Sequence, residues 1–147
     1  MNEQLLHDAL LERLRTCSDS VMLALDQNGY EDRSLLKRLE PYYLFSEWKR
    51  NYPGCSGRGN VKLNHYELNA KVAGIFKEYR SFLETGYDLV FYQQKETVLI
   101  AVFHEYCYYI EENHKKEFAD LIEQYGGGDC FGDIQPEIPD FEALETS

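Results

Sequence analysis

The reading of this chain turns on Leu89-Val90-Phe91-Tyr92-Gln93-Gln94-Lys95-Glu96-Thr97-Val98-Leu99-Ile100-Ala101-Val102-Phe103. Two short runs here are rich in aromatic and β-branched residues, which favour strands. We read strands over 89–92 and 97–103. The linker Gln93-Gln94-Lys95-Glu96 contains neither Gly nor Asn, so the hairpin rests on proximity and not on turn chemistry. From Val98 to Phe103 the second run is apolar at every position, which suits a central strand covered on both faces. We expect it to run on through Tyr109.

Upstream the spacing is helical. Leu68, Val72, Ile75, Phe76, Tyr79, Phe82 and Leu83 form a stripe that predicts a helix over about 65–84, capped by Asn64 with Glu67 in the capping-box position and closed by Gly86. Leu5, Leu6, Ala9, Leu10 and Leu14 predict a helix over 3–15. A short helix over 21–25 stops near Asn28-Gly29. Asp32 or Ser34 caps another with Leu35, Leu36 and Leu39, which Pro41 must end. Residues 42–50 restart helically, with Tyr43, Leu44, Phe45 and Trp48 on one apolar side, and 51–60 is a loop.

Downstream, a last helix from about 111 or 113 to 125 carries Phe118, Leu121, Ile122 and Tyr125, and Gly126-Gly127-Gly128 ends it. We therefore expect an α+β fold, a mostly helical single domain over 1–128 with a β-hairpin or small antiparallel sheet packed against helices. An acidic tail containing Pro136 and Pro139 follows over 129–147, with Phe131, Ile134, Ile138, Phe141 and Leu144 spaced along it.

At 147 residues and 44% hydrophobic content the chain is long enough for a real core. No apolar run approaches the roughly 20 residues of a membrane span. The first 14 residues include Glu3, Asp8 and Glu12, unlike a secretory signal, so we expect a cytoplasmic protein. Cys17, Cys55, Cys107 and Cys130 are scattered without a CxxC pair, which favours free thiols over disulfides or zinc.

Charge is distributed unevenly. The chain nets −11, and from Glu105 onward 12 acidic residues face only Lys115 and Lys116. Residues 31–66 run the other way, with seven Lys/Arg against four acids. Aromatic content is high at 14%, with 12 Tyr.

Four arrangements are candidates for chemistry. The loop Gly54-Cys55-Ser56-Gly57-Arg58-Gly59-Asn60, flanked by Trp48, Lys49, Arg50 and Lys62, has the glycines and cations of a phosphate cradle but not the P-loop pattern. His104 and Cys107 are an odd number of residues apart, so on one strand they leave opposite faces and form no dyad. The histidines His7, His65, His104 and His114 have no metal-ligand spacing, and no cofactor is expected.

The fourth is an acidic and aromatic surface. We expect Glu105, Glu111, Glu112, Glu117, Asp120 and Glu123 to supply electrostatic complementarity, and Tyr106, Tyr108 and Tyr109 to supply contact area. Such a surface suits a basic protein; a negative chain is a poor fit to nucleic acid or anionic membranes. In composition the chain resembles inhibitors of nucleases, such as immunity proteins that shield a bacterium from a toxin, and proteins that imitate the charge of DNA. That resemblance implies a non-enzymatic module that neutralises or escorts a basic partner. The alternatives are a small enzyme or nucleotide-binding domain using the 54–60 loop, and a self-assembling structural protein.

Overall fold

The computed structural model describes residues 3–55, 59–126 and 131. Through its middle runs β1 (Ser20–Leu25), whose side chains alternate between two apolar layers. Val21 and Leu23 face one layer, Met22 and Ala24 the other, and all four are fully buried. This alternation corrects the helix expected over 21–25. Met, Leu and Ala all favour helix, but filling two opposite layers at once requires a period of two.

β1 is antiparallel to both its neighbours, β3 (Val61–Glu67) and β4 (Asp88–Gln93), with Met22 opposite His65 on one side and Val90 on the other. Outside β3 lies β2 (Tyr43–Lys49); beyond β4 lie β5 (Glu96–Val102) and β6 (Cys107–Ile110). The order is β2-β3-β1-β4-β5-β6. Four helices, α1 (Glu3–Cys17), α2 (Arg33–Leu39), α3 (Ala70–Phe76) and α4 (Lys115–Leu121), pack into one layer against this sheet. With 44% helix and 33% strand the protein is a mixed α+β fold, and the expectation of a mostly helical domain carrying a hairpin or small sheet is overturned.

Two segments account for most of that correction. Residues 42–50 form the edge strand β2, not a helix. Residues 65–84 are divided: β3 ends at Glu67, α3 spans Ala70–Phe76, and a 3-10 turn covers Phe82–Thr85. The helix cap is Asn69, whose side chain accepts from the Val72 amide at 2.9 Å, and not Asn64. The apolar stripe still faces the core, but through three elements in place of one. Gly86 does close the segment, at φ +83°, where a Cβ would come within 2.1 Å of the Tyr30 carbonyl oxygen.

The strands over 89–92 and 97–103 form as expected, joined by a two-residue turn in which Gln94 and Lys95 both adopt positive φ. The register forces this left-handed geometry on residues that do not prefer it. Strand β5 does not continue to Tyr109. A helical turn over Phe103–Glu105 and Tyr106 at φ +50° reverse the chain, and β6 returns along β5 with Cys107 opposite Val102.

Phe82 centres the helix-side core, with its ring against those of His7, Phe76, Phe91 and Tyr108. Truncating such a ring to Ala costs about 3–5 kcal/mol. The opposite face of the sheet carries Met22, Val61, Leu63, Val90, Tyr92, Ile100 and Val102. Residues 52–55, in the β2–β3 connection, cover it. Tyr52 is fully buried there and donates its hydroxyl to Asp88 at 2.8 Å. Gly54 packs so closely that a Cβ would sit 2.8 Å from Ile100 Cγ2.

The expected tail over 129–147 lies outside the described residues, except Phe131, which bridges to Tyr108 in parallel. Among the described residues no helix is long and apolar enough to cross a membrane.

Candidate interaction surface

The pleat of β6 separates the three tyrosines expected to act together. Tyr108 turns into the helix-side core; it is 2% exposed, packs on Phe82 and Phe131, and hydrogen-bonds Ser81 Oγ at 2.9 Å. It offers no contact area to a partner, which corrects its assignment. Tyr109 packs against the opposite layer and donates its hydroxyl to Glu105, which raises the phenol pKa above its ordinary value. Tyr106, in the reversal between β5 and β6, is exposed.

The carboxylates fare similarly. Glu111 accepts from the Asn113 amide at 2.7 Å and so caps its own turn. Glu112 pairs with Lys115 at 3.1 Å, and Glu117 with His114 Nδ1 at 2.9 Å. Asp120 receives both guanidinium nitrogens of Arg13 on α1 at 3.0 Å each, and Arg13 holds its carboxyl below the usual range. Arg13 also donates to the Glu117 carbonyl. Glu123 is exposed. Of these six carboxylates, Asp120 and Glu112 are thus paired with cations of the chain itself. Linear charge counting missed this because Arg13 reaches α4 from the other end of the chain.

The apolar surface gathers elsewhere. Large exposed hydrophobic residues among those described are Leu5, Tyr30, Tyr43, Leu44, Phe45, Trp48 and Tyr106. Four of these seven lie on β2, where Trp48 reaches 60% exposure. Among the described residues, strand β2 ends the sheet and pairs only with β3. Phe45 lies opposite His65 on the face shared with Leu63; Tyr43 and Trp48 lie opposite Tyr66 and Lys62 on the helix side; a bulge sits between Tyr43 and Phe45.

Polar contacts fix this edge. Tyr43 Oη, Ser46 Oγ, Asn64 and Tyr66 Oη form one hydrogen-bonded chain with links of 2.6, 2.7 and 3.1 Å. His65, buried, is held by Glu47 at 2.8 Å, and that hydrogen bond keeps the Glu47 carboxyl below its ordinary value. Beside Tyr43 a cavity of about 330 Å³ opens between α2 and the sheet, lined by Leu36, Lys37, Glu40, Tyr43, Asn64 and Tyr66. Sequence reasoning did group Tyr43, Leu44, Phe45 and Trp48, but as the buried side of a helix. The signal it lacked is where β2 sits in the sheet.

The remaining candidates resolve as follows. Residues 52–55 of the Gly-rich loop are part of the cover over the sheet, and 56–58 lie outside the described residues. His104 belongs to the turn after β5, with Nδ1 3.9 Å from Asp88, and Cys107 begins β6. Cys17, Cys55 and Cys107 are free thiols, and burial pushes Cys17 up to about 12. Among the described residues no group of three or more His, Cys, Asp or Glu is placed to hold a metal ion. Comparison with protein families, curated proteins and solved structures finds no match to this chain.

Proposed function

We propose that this chain is a non-enzymatic protein-binding domain whose principal contact surface is the edge strand β2. One observation carries the reading: among the described residues, four of the seven exposed large hydrophobic residues are concentrated in the seven residues of one edge strand. Apolar residues scattered over a surface need no explanation, but their concentration along one sheet edge points to an interaction site. Trp and Tyr are the residues that most often anchor protein interfaces.

Photo-crosslinking in cells that express the protein tests this. A photoreactive residue at position 48 should trap a discrete partner, and the purified partner should then bind wild-type protein and lose affinity for a Phe45→Ser/Trp48→Ser variant. No adduct at position 48, or unchanged affinity of the folded variant for a trapped partner, overturns the reading.

A second reading keeps the basic partner, with a nuclease-type toxin as its model. It is favoured by the exposure of Glu105, Glu112, Glu123 and Tyr106. It assigns the trapped protein to position 106 and not to position 48.

A further inference from the structure

We infer that the β2 edge is completed by an extended acidic segment of a partner protein, added antiparallel or parallel as a seventh strand. This rests on the proposal that β2 is the contact surface, and it names how that surface is used. The outer side of a terminal strand presents unpaired amide and carbonyl groups, a template for another chain. Protein edges are commonly protected by outward Lys, by Pro, by inward charges or by a covering loop. On β2 the exposed positions are Tyr43, Leu44, Phe45 and Trp48, while its two charged side chains, Glu47 and Lys49, turn to the face of Leu63 and Val61. The one lysine in the strand, Lys49, is buried, with its ammonium 3.9 Å from Glu47. The bulge disturbs only the Tyr43 end, and from Phe45 to Lys49 the register with β3 is regular. An added strand would therefore meet a straight segment with aromatic side chains on both faces: Phe45 on one, Trp48 and the cavity beside Tyr43 on the other.

Charge selects among occupants. Exposed Lys37 and Arg50 flank the edge and half-buried Lys62 lies opposite Trp48; Lys49 is buried beside Glu47, which His65 also holds, and Glu40 lines the cavity. This is a positive locality on a chain of net charge −11. A second copy pairing β2 to β2 would bring the same cations against each other, and like charges opposed across strands are destabilising. A segment alternating apolar residues with Asp or Glu places its apolar row on the Phe45 face and its carboxylates on the helix-side face that carries Lys37 and Lys62, with Arg50 at the end of the strand, which also speeds its encounter.

The chain itself supplies the reporter. Trp48 is the single tryptophan, so the indole fluorescence of the whole protein comes from the proposed site. The probe is a capped peptide of about eight residues, long enough to span β2 at ~3.3 Å per residue, alternating Glu with Val and Tyr. Two comparison peptides replace every Glu by Lys, or carry N-methyl groups on alternate amides. The acidic peptide should give a saturable shift of Trp48 emission to shorter wavelength; affinity should fall roughly tenfold or more for the Lys peptide and for Arg50→Glu/Lys62→Glu protein, and similarly on N-methylation.

Absence of a saturable shift up to about 1 mM peptide overturns the inference. Equal binding of the Lys peptide, or of the N-methylated peptide, overturns it as well. A shift that grows with protein concentration alone, with a doubled mass in light scattering, assigns the edge to a second copy. A photo-crosslink from position 48 to residues 132–147 of the same molecule assigns it to the C-terminal segment. Either result removes the partner strand. If crosslinking at position 48 yields a validated partner while every peptide fails, binding through β2 stands and strand addition falls.

Discussion

Phe45 lies flat over His65, with ring centroids 4.2 Å apart and planes inclined by 9°, so the aromatic edge of the sheet also roofs a buried histidine. Beneath that roof Glu47 is the hydrogen-bond partner of His65. Replacing Glu47 by Gln should lower stability by about 1–2 kcal/mol at pH 7, since it removes the charge from a partly buried hydrogen bond. The Glu47 carboxyl titrates lower in the folded chain than its ordinary 4.5. Its contribution is therefore complete above that value and lost as pH falls through the lower folded one. Urea denaturation of wild type and E47Q should show a gap at pH 7 that closes on acidification below pH 4.5.

His7 gives the opposite half of the pH profile. Its Nε2 bonds the Phe76 carbonyl at 2.7 Å, its ring packs on Phe82, and its buried Nδ1 has no hydrogen-bond partner among the described residues. Burial lowers its pKa below 6.5. In the unfolded chain the ring takes up a proton near 6.5, before the folded one does, so the native state loses stability as pH falls through that value and below. A His7→Phe variant should flatten the decline of unfolding free energy between pH 7 and pH 5. The Phe76 carbonyl keeps the Tyr79 amide at 3.1 Å in that variant.

The β4–β5 turn should be improvable. Gln94 at φ +48° and Lys95 at φ +72° occupy the backbone region preferred by Asn-Gly. The double change Gln94→Asn/Lys95→Gly should stabilise the protein by about 0.5–1 kcal/mol, a rise of a few degrees in Tm by calorimetry. An unchanged or lower Tm would show that the turn is not strained.

Gly86 and Gly29 separate backbone strain from collision. Both have φ near +90°, but a Cβ at Gly29 meets nothing within 4 Å, while at Gly86 it meets the Tyr30 carbonyl at 2.1 Å. Gly29→Ala should cost about 1 kcal/mol. Gly86→Ala should cost about 3 kcal/mol or more, because backbone must move. Equal losses in denaturant titrations would refute the packing of the 28–31 loop against the turn before β4.

Helix α1 was legible because its hydrogen bonds are local and its leucines repeat every turn. So was the cap of α2, where Asp32 accepts from the Ser34 amide at 3.1 Å. The β4–β5 pair was legible because its partners are two residues apart at the turn. Strand β3 was missed: 65–67 were assigned to the helix and 61–63 to no element, although Val61, Leu63 and His65 alternate with Lys62 and Asn64, because the helical stripe that begins at Leu68 overrode the shorter period. The acidic set was legible as composition but not as a surface. Tyr108 and Tyr109 are neighbours in the chain, and the pleat alone sends them to opposite layers.

From its residues alone this chain declares its skewed charge, an N-terminal amphipathic helix and one strand pair over 89–103. Those features depend on contacts within a few residues. Whether 20–25, 43–49 and 61–67 are strands depends on partners 12 to 72 positions away, since an isolated strand has no hydrogen bonds of its own. The sheet order settles which aromatic residues are buried and which line its edge. Folding puts Tyr108 inside and Trp48 outside, and makes β2, and not the acidic last third, the most apolar exposed surface of the described molecule.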